Sequence, residues 1–116
     1  MTTTLPYAGP QPDAEAFVWQ NLSGQPGITS FCYTALSLWP GWLITYSVQV
    51  DARGTTKEQA RDRADQARQT MLGLPGVPWP DGVLSSVDLV EGPFWLPDPD
   101  AGPRYCARYE VRAHPS

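Results

Sequence analysis

The sequence predicts an α+β fold: a mostly antiparallel sheet of about four strands with two helices packed on one face. Three observations carry that expectation. Leu43 to Ala52 alternates apolar and polar residues with a period of two. From Thr55 to Leu72 the period changes to that of a helix, with alanines forming the apolar stripe. Arg104 to Ala113 returns to a period of two. With two weaker segments before them and one between, the order reads α, β, β, α, β, β, which suits helices gathered on one face of an antiparallel sheet.

Residues 1–12, MTTTLPYAGPQP, read as an extended N-terminal arm, and residues 13–116 as a single domain. The arm has neither the positive start nor the apolar stretch of a signal peptide. Asp13 is a good helix N-cap, and Gly24 stands just past a short helix ending at Leu22. Phe17, Val18 and Leu22 share one face of it, with Trp19 on the flank. Thr29 to Trp39 is rich in strand formers. Pro40 and Gly41 then suit the two central positions of a type II turn, so Trp39 and Trp42 flank a reversal into the second strand.

In that second strand Ile44, Tyr46, Val48 and Val50 point to the core, and Thr45, Ser47, Gln49 and Asp51 point away. Gly54 breaks the strand. Thr55 and Glu58 have the spacing of a capping box. The helix that follows ends at Gly73. Its Ala60, Ala64, Ala67 and Met71 fall within an arc of roughly 60°. Glu58, Asp62 and Asp65 lie broadly opposite this stripe, and Lys57, Arg61 and Arg68 line one flank. Gly73 to Gly82 reads as a rigid loop carrying Trp79. Val83 to Glu91 reads as a strand with Val83, Val87 and Leu89 inward, and Gly92 to Pro103 as a second proline-bound loop. In the last strand Tyr105, Ala107, Tyr109, Val111 and Ala113 face inward, alternating with Arg104, Cys106, Arg108, Glu110 and Arg112.

Composition narrows the chemistry. The net charge is −4 and Lys57 is the sole lysine, so no basic stripe exists to grip a nucleic-acid backbone. No stretch approaches the ~20 apolar residues of a membrane span. Cys32 and Cys106 read as two buried thiols, since no CxxC spacing supports a redox pair. The one histidine, His114, is expected at the surface. Asp98 and Asp100 offer at most a weak cation site and read better as a solvated loop. No glycine-rich phosphate loop, nucleophile elbow or acid/base pair stands out. The chain is therefore read as no enzyme, with no cofactor and no metal.

Protein contacts are the remaining expectation. Prolines hold Trp79, Phe94 and Trp95 in place at low entropic cost, which suits an interface as well as a lid over the sheet. The charged residues Lys57, Glu58, Arg61, Asp62, Asp65, Arg68, Arg104, Arg108 and Arg112 form an ordered pattern that would let identical subunits pair head to tail in a closed ring.

The run LITYSVQVDARGTTKEQARDRADQARQTML, followed later by RYCARYEVRAH, resembles the tail terminator, or tail completion, proteins of long-tailed phages, with a composition like that of actinobacterial phages. In that family a helix precedes a strand that leads straight into an alanine-, aspartate- and arginine-rich helix, and an aromatic, arginine-rich strand closes the domain. The matching parts here are Ala14 to Leu22, Ile44 to Arg53, Thr55 to Leu72 and Arg104 to Ala113. The resemblance implies a hexameric ring at the head-proximal end of the tail in the virion, assembled in the host cytoplasm. Such a ring stops polymerisation of the tail tube protein and presents a joining surface to a neck or head-completion protein. DNA only passes through its lumen, which an acidic chain suits. The family has no catalytic motif to carry over. Two other readings stay open: a different connector ring, such as a stopper or adaptor, and a small ligand-binding α+β domain whose aromatics line a pocket.

Overall fold

The computed structural model describes residues 14–35, 44–80, 82–100 and 102–115. The clean alternation does form the central strand. In chain order the elements are α1 (Ala14–Leu22), β1 (Ile28–Ala35), β2 (Ile44–Arg53), α2 (Lys57–Gly73), a short 3-10 turn (Leu74–Gly76), β3 (Gly82–Trp95) and β4 (Arg104–Pro115). The strands make one sheet in the order β1-β2-β4-β3, every neighbouring pair antiparallel. Both helices pack on one face, so the α+β architecture is as expected. The N-terminal arm, the Asp13 cap and the Trp39 to Trp42 reversal lie outside the described residues.

The core forms where the apolar periodicities meet. Tyr46, Val48 and Val50 of β2 and Ala107, Tyr109, Val111 and Ala113 of β4 face Ala64, Ala67 and Met71 of α2, with Phe17, Val18 and Leu22 of α1 closing one side. Ala60 is buried too. Alanines remove little apolar area each, but their small size lets α2 approach the sheet closely. The larger buried residues supply most of the driving force, on the order of 1.5–3 kcal/mol apiece. Gly54 permits the abrupt passage from β2 to α2. A Cβ there would sit 2.7 Å from the Ala60 amide nitrogen, so only glycine fits without movement.

Three local expectations are corrected. The helix cap is shifted by one residue: Thr56 is the N-cap and accepts the Gln59 N–H at 3.1 Å. The Gln59 side chain reaches back to accept the Thr55 N–H at 2.7 Å. A glutamine at this position serves as well as the carboxylate expected at Glu58, and the later start puts Gln59 in the reciprocal place. At the other end, Gly73 keeps a right-handed conformation (φ −89°, ψ −6°) and belongs to the helix. The chain then tightens into Leu74–Gly76, where Pro75 has no N–H to continue the α ladder, and Leu74 is buried.

The third correction concerns β3, which runs on to Trp95, so Phe94 and Trp95 lie in a strand and not in a loop. Its pairing with β4 slips between Leu84 and Ser86, between Leu89 and Glu91, and between Glu91 and Phe94. Each slip inserts an extra residue and resets the phase. Leu84 therefore points inward with Val87 and Leu89, while Val83 is exposed. The last slip accommodates Gly92, at φ +81°, and the cis Gly92–Pro93 bond. Simple alternation could not reveal a strand whose period is interrupted three times.

Candidate functional site

The face of the sheet opposite the helices carries an ordered set of charges. Directly across the β2–β4 pairing, Asp51 meets Cys106, Gln49 meets Arg108 and Ser47 meets Glu110. The arginines find acids within the same chain. Arg112 bonds Asp88 at 2.9 Å and also Glu110, and Arg108 bonds Glu91. Arg53 and Arg104 sit directly opposite one another. Their repulsion is offset because Arg53 lies 3.5 Å from Asp98, and Arg104 lies 3.5 Å from Asp51. Most of these pairs are half-exposed, where such contacts contribute about 0–1 kcal/mol each.

Asp51 is different: it is 3% exposed, although the alternation of β2 assigns it to the open face. Arg104 and the Gln49 side-chain amide, at 3.2 Å, compensate its charge. Cys106 lies beside it. Burial pushes the Cys106 thiol up to about 11, helped by its hydrogen bond to Asp51 and that carboxylate's charge. A thiol held protonated is a poor nucleophile and metal ligand. Cys32 packs against the core on the helix side of β1, so the two thiols occupy opposite faces, and they are not joined in a disulfide.

The charged residues singled out from sequence fall on two separate surfaces. Lys57, Glu58, Arg61 and Asp62 are exposed on α2, and Asp65 and Arg68 are half-buried there. Arg108 and Arg112 lie across the sheet, on the other side, and Arg104 lies at its end beside Asp51. Within α2 the Arg68–Asp65 pair is long, at 3.9 Å. Among the described residues, Glu58, Arg61 and Asp62 make no ion pair. The strand arginines are already engaged, while the middle of the α2 surface keeps its charges open.

The three aromatics also divide. Trp79 is half-buried and stacks on Phe17 with ring centroids 4.7 Å apart, tying the loop after α2 to α1. Phe94 and Trp95 are 41% and 39% exposed. Phe94 pairs with Cys106 and so belongs to the charged face. Trp95 pairs with Tyr105 on the helix face, its ring 5.3 Å from the tyrosine ring. The Lys57 ammonium lies 4.9 Å from the Trp95 centroid, a cation–π contact at the start of α2. Val90, further back in β3, and Leu96, just after Trp95, are exposed large hydrophobics as well. Sequence reading passed over both, though Leu96 sits between Trp95 and Pro97 and shared the same signal.

A second surface was not anticipated. An open groove of about 390 Å³ lies between α1 and β1, lined by Glu15, Ala16, Trp19, Ser30 and Phe31. Trp19 and Phe31 are both exposed large hydrophobics. The flank position of Trp19 was legible in the helix pattern, but not the neighbour that completes the groove.

Elsewhere, Asp98 is occupied: its carboxylate accepts the Asp100 N–H at 2.9 Å and pairs with Arg53. His114 is half-buried and not the open surface residue expected. Among the described residues no group of three metal-ligating side chains gathers, and no helix is long and apolar enough to cross a membrane. No family model matches the sequence, and no curated protein matches it.

Proposed function

We propose that this chain is a structural virion protein. It forms a hexameric ring that caps the head-proximal end of a phage tail tube, stops tube polymerisation and joins the tail to the neck, with DNA passing through its lumen. The single observation that carries the reading is the Phe94 and Trp95 pair. The two rings project from opposite faces of one strand end braced by Pro93 and Pro97. Large apolar side chains ordered in advance lose little entropy on docking, which suits recognition of a tube end. The order of elements on which the resemblance rests, strand into alanine-seamed helix and a closing arginine-rich strand, supports it further.

The lateral contacts of the ring involve the α2 charges Lys57, Glu58, Arg61, Asp62, Asp65 and Arg68, together with Arg104, Arg108 and Arg112 of β4. Trp79, read from sequence as a third tube or neck contact, precedes the opposite end of β3 and is half-buried against Phe17. The test is electron microscopy of particles assembled without the protein. Tails of uncontrolled length are expected. Tails of normal length that fail to join heads would instead favour a stopper or adaptor ring. A chain that stays monomeric and binds a small molecule in the α1–β1 groove would favour the ligand-binding domain.

A further inference from the structure

The exposed apolar end of β3 and the α1–β1 groove stand at opposite edges of the sheet, because β3 and β1 are its two outermost strands. They are offset from one another along the strand direction. Trp95 is level with Tyr105, Tyr105 with Ala52, and Ala52 with Ile28. Ser30 and Phe31, which line the groove, are two and three residues further along β1, or roughly 7–10 Å. Trp95 sits beside the start of α2 and α1 forms a wall of the groove, while Phe31, level with Gln49, borders it from the opposite face of the edge strand. A knob and a hole on opposite edges define a heterologous contact, the kind that repeats into a ring or a filament.

Charge complements shape. Lys57, the sole lysine, rides on the Trp95 ring. Glu15 lines the groove and makes no ion pair among the described residues. A groove of about 390 Å³ has room for an indole side chain. The free edge of β3, with three irregularities and Pro93, is a poor template for strand addition, so side chains and not a shared ladder must carry a contact there.

We propose that copies of this chain join head to tail by seating Trp95 of one copy in the α1–β1 groove of the next, where the Lys57 ammonium meets the Glu15 carboxylate. The inference rests on the ring reading only in requiring that copies associate. With Trp95 buried between copies, the axial contact of the ring narrows from the Phe94 and Trp95 pair to Phe94 and Leu96.

The experiment measures the native mass of the full chain against concentration for the wild type, Trp95→Ala, Lys57→Glu, Glu15→Lys and the double swap. Lys57 and Glu15 are exposed, so the charge variants keep the fold, and circular dichroism checks this for all of them. Expected is a closed oligomer for the wild type and its loss in Trp95→Ala. Each single swap weakens association about tenfold or more, and the double swap restores it. A wild-type oligomer that none of these variants perturbs overturns this joint while leaving the ring reading intact. A wild type that stays monomeric at high concentration overturns both. An assembly that stops at two copies also overturns the joint, since a head-to-tail contact between opposite edges does not close in a dimer.

Discussion

At the scale of single residues, the groups that set chemical behaviour are buried ones. Removing Arg104 would leave the Asp51 carboxylate without its main countercharge in a site almost closed to water. Arg104→Ala is expected to cost on the order of 3 kcal/mol, well above Arg108→Ala at about 0–1 kcal/mol, measured by urea denaturation. Tyr109 and Cys106 give a pH signature. Burial pushes the Tyr109 phenol up to about 12 and the Cys106 thiol up to about 11. Both groups are neutral when protonated, so the folded state holds protons that the unfolded chain releases earlier. Their contribution is complete below about pH 9 and is lost as pH rises through 11 to 12. For Cys106 the rise from 9.0 to about 11 corresponds to on the order of 3 kcal/mol. The melting midpoint should stay level up to about pH 9 and fall above it, with a shallower initial fall in Cys106→Ala. The Tyr109 hydroxyl has no hydrogen-bond partner among the described residues. Tyr109→Phe should therefore be neutral or slightly stabilising at pH 7.

At the scale of elements, α2 depends on its first turn and its seam. Thr56→Ala removes the side chain that accepts the Gln59 N–H and should cost about 1 kcal/mol. Glu58→Ala, by contrast, removes no cap bond and should fall within about 0.5 kcal/mol of the wild type. Ala64→Leu inserts volume where the helix lies closest to β2 and β4, and should cost about 1–3 kcal/mol. A melting midpoint unchanged by Ala64→Leu would remove that seam from the core. The reason for a strand running straight into a helix is also visible here. Gly54 allows the close turn, and the Arg63 guanidinium donates to the Arg53 carbonyl at 2.8 Å, locking the end of β2 to α2. The two elements are thereby tied end to end.

For the whole molecule, the distribution of paired and open charge bears on assembly. The strand arginines are engaged within the chain, whereas Glu58, Arg61 and Asp62 remain open on α2. If copies pair through that surface, each contact is worth about 0–1 kcal/mol, multiplied around the ring. Assembly should weaken as salt rises, and Arg61→Glu should weaken it more than Arg108→Glu. Sedimentation from low salt to about 1 M, where the Debye length is only ~3 Å, reads this directly. Indifference to salt would leave the apolar joints as the sole source of cohesion.

The sequence by itself determined the fold class, the order of elements, the inward sets of β2 and β4 and the alanine seam of α2, because each is written in uninterrupted periodicity over ten or more residues. It also singled out Phe94 and Trp95, two large apolar side chains that remain partly exposed. Only the tertiary structure decided the phase of β3, since three extra residues break the alternation and turn Leu84 inward in place of Val83. The burial of Asp51 was equally hidden. It depends on Arg104 and Cys106, more than fifty residues away, whose position beside β2 is set by strand order and register. For the same reason the charges of α2 and those of β4, similar on paper, belong to different surfaces. Periodicity fixes which way a side chain points within its own element, whereas the neighbour it meets depends on how the sheet is ordered.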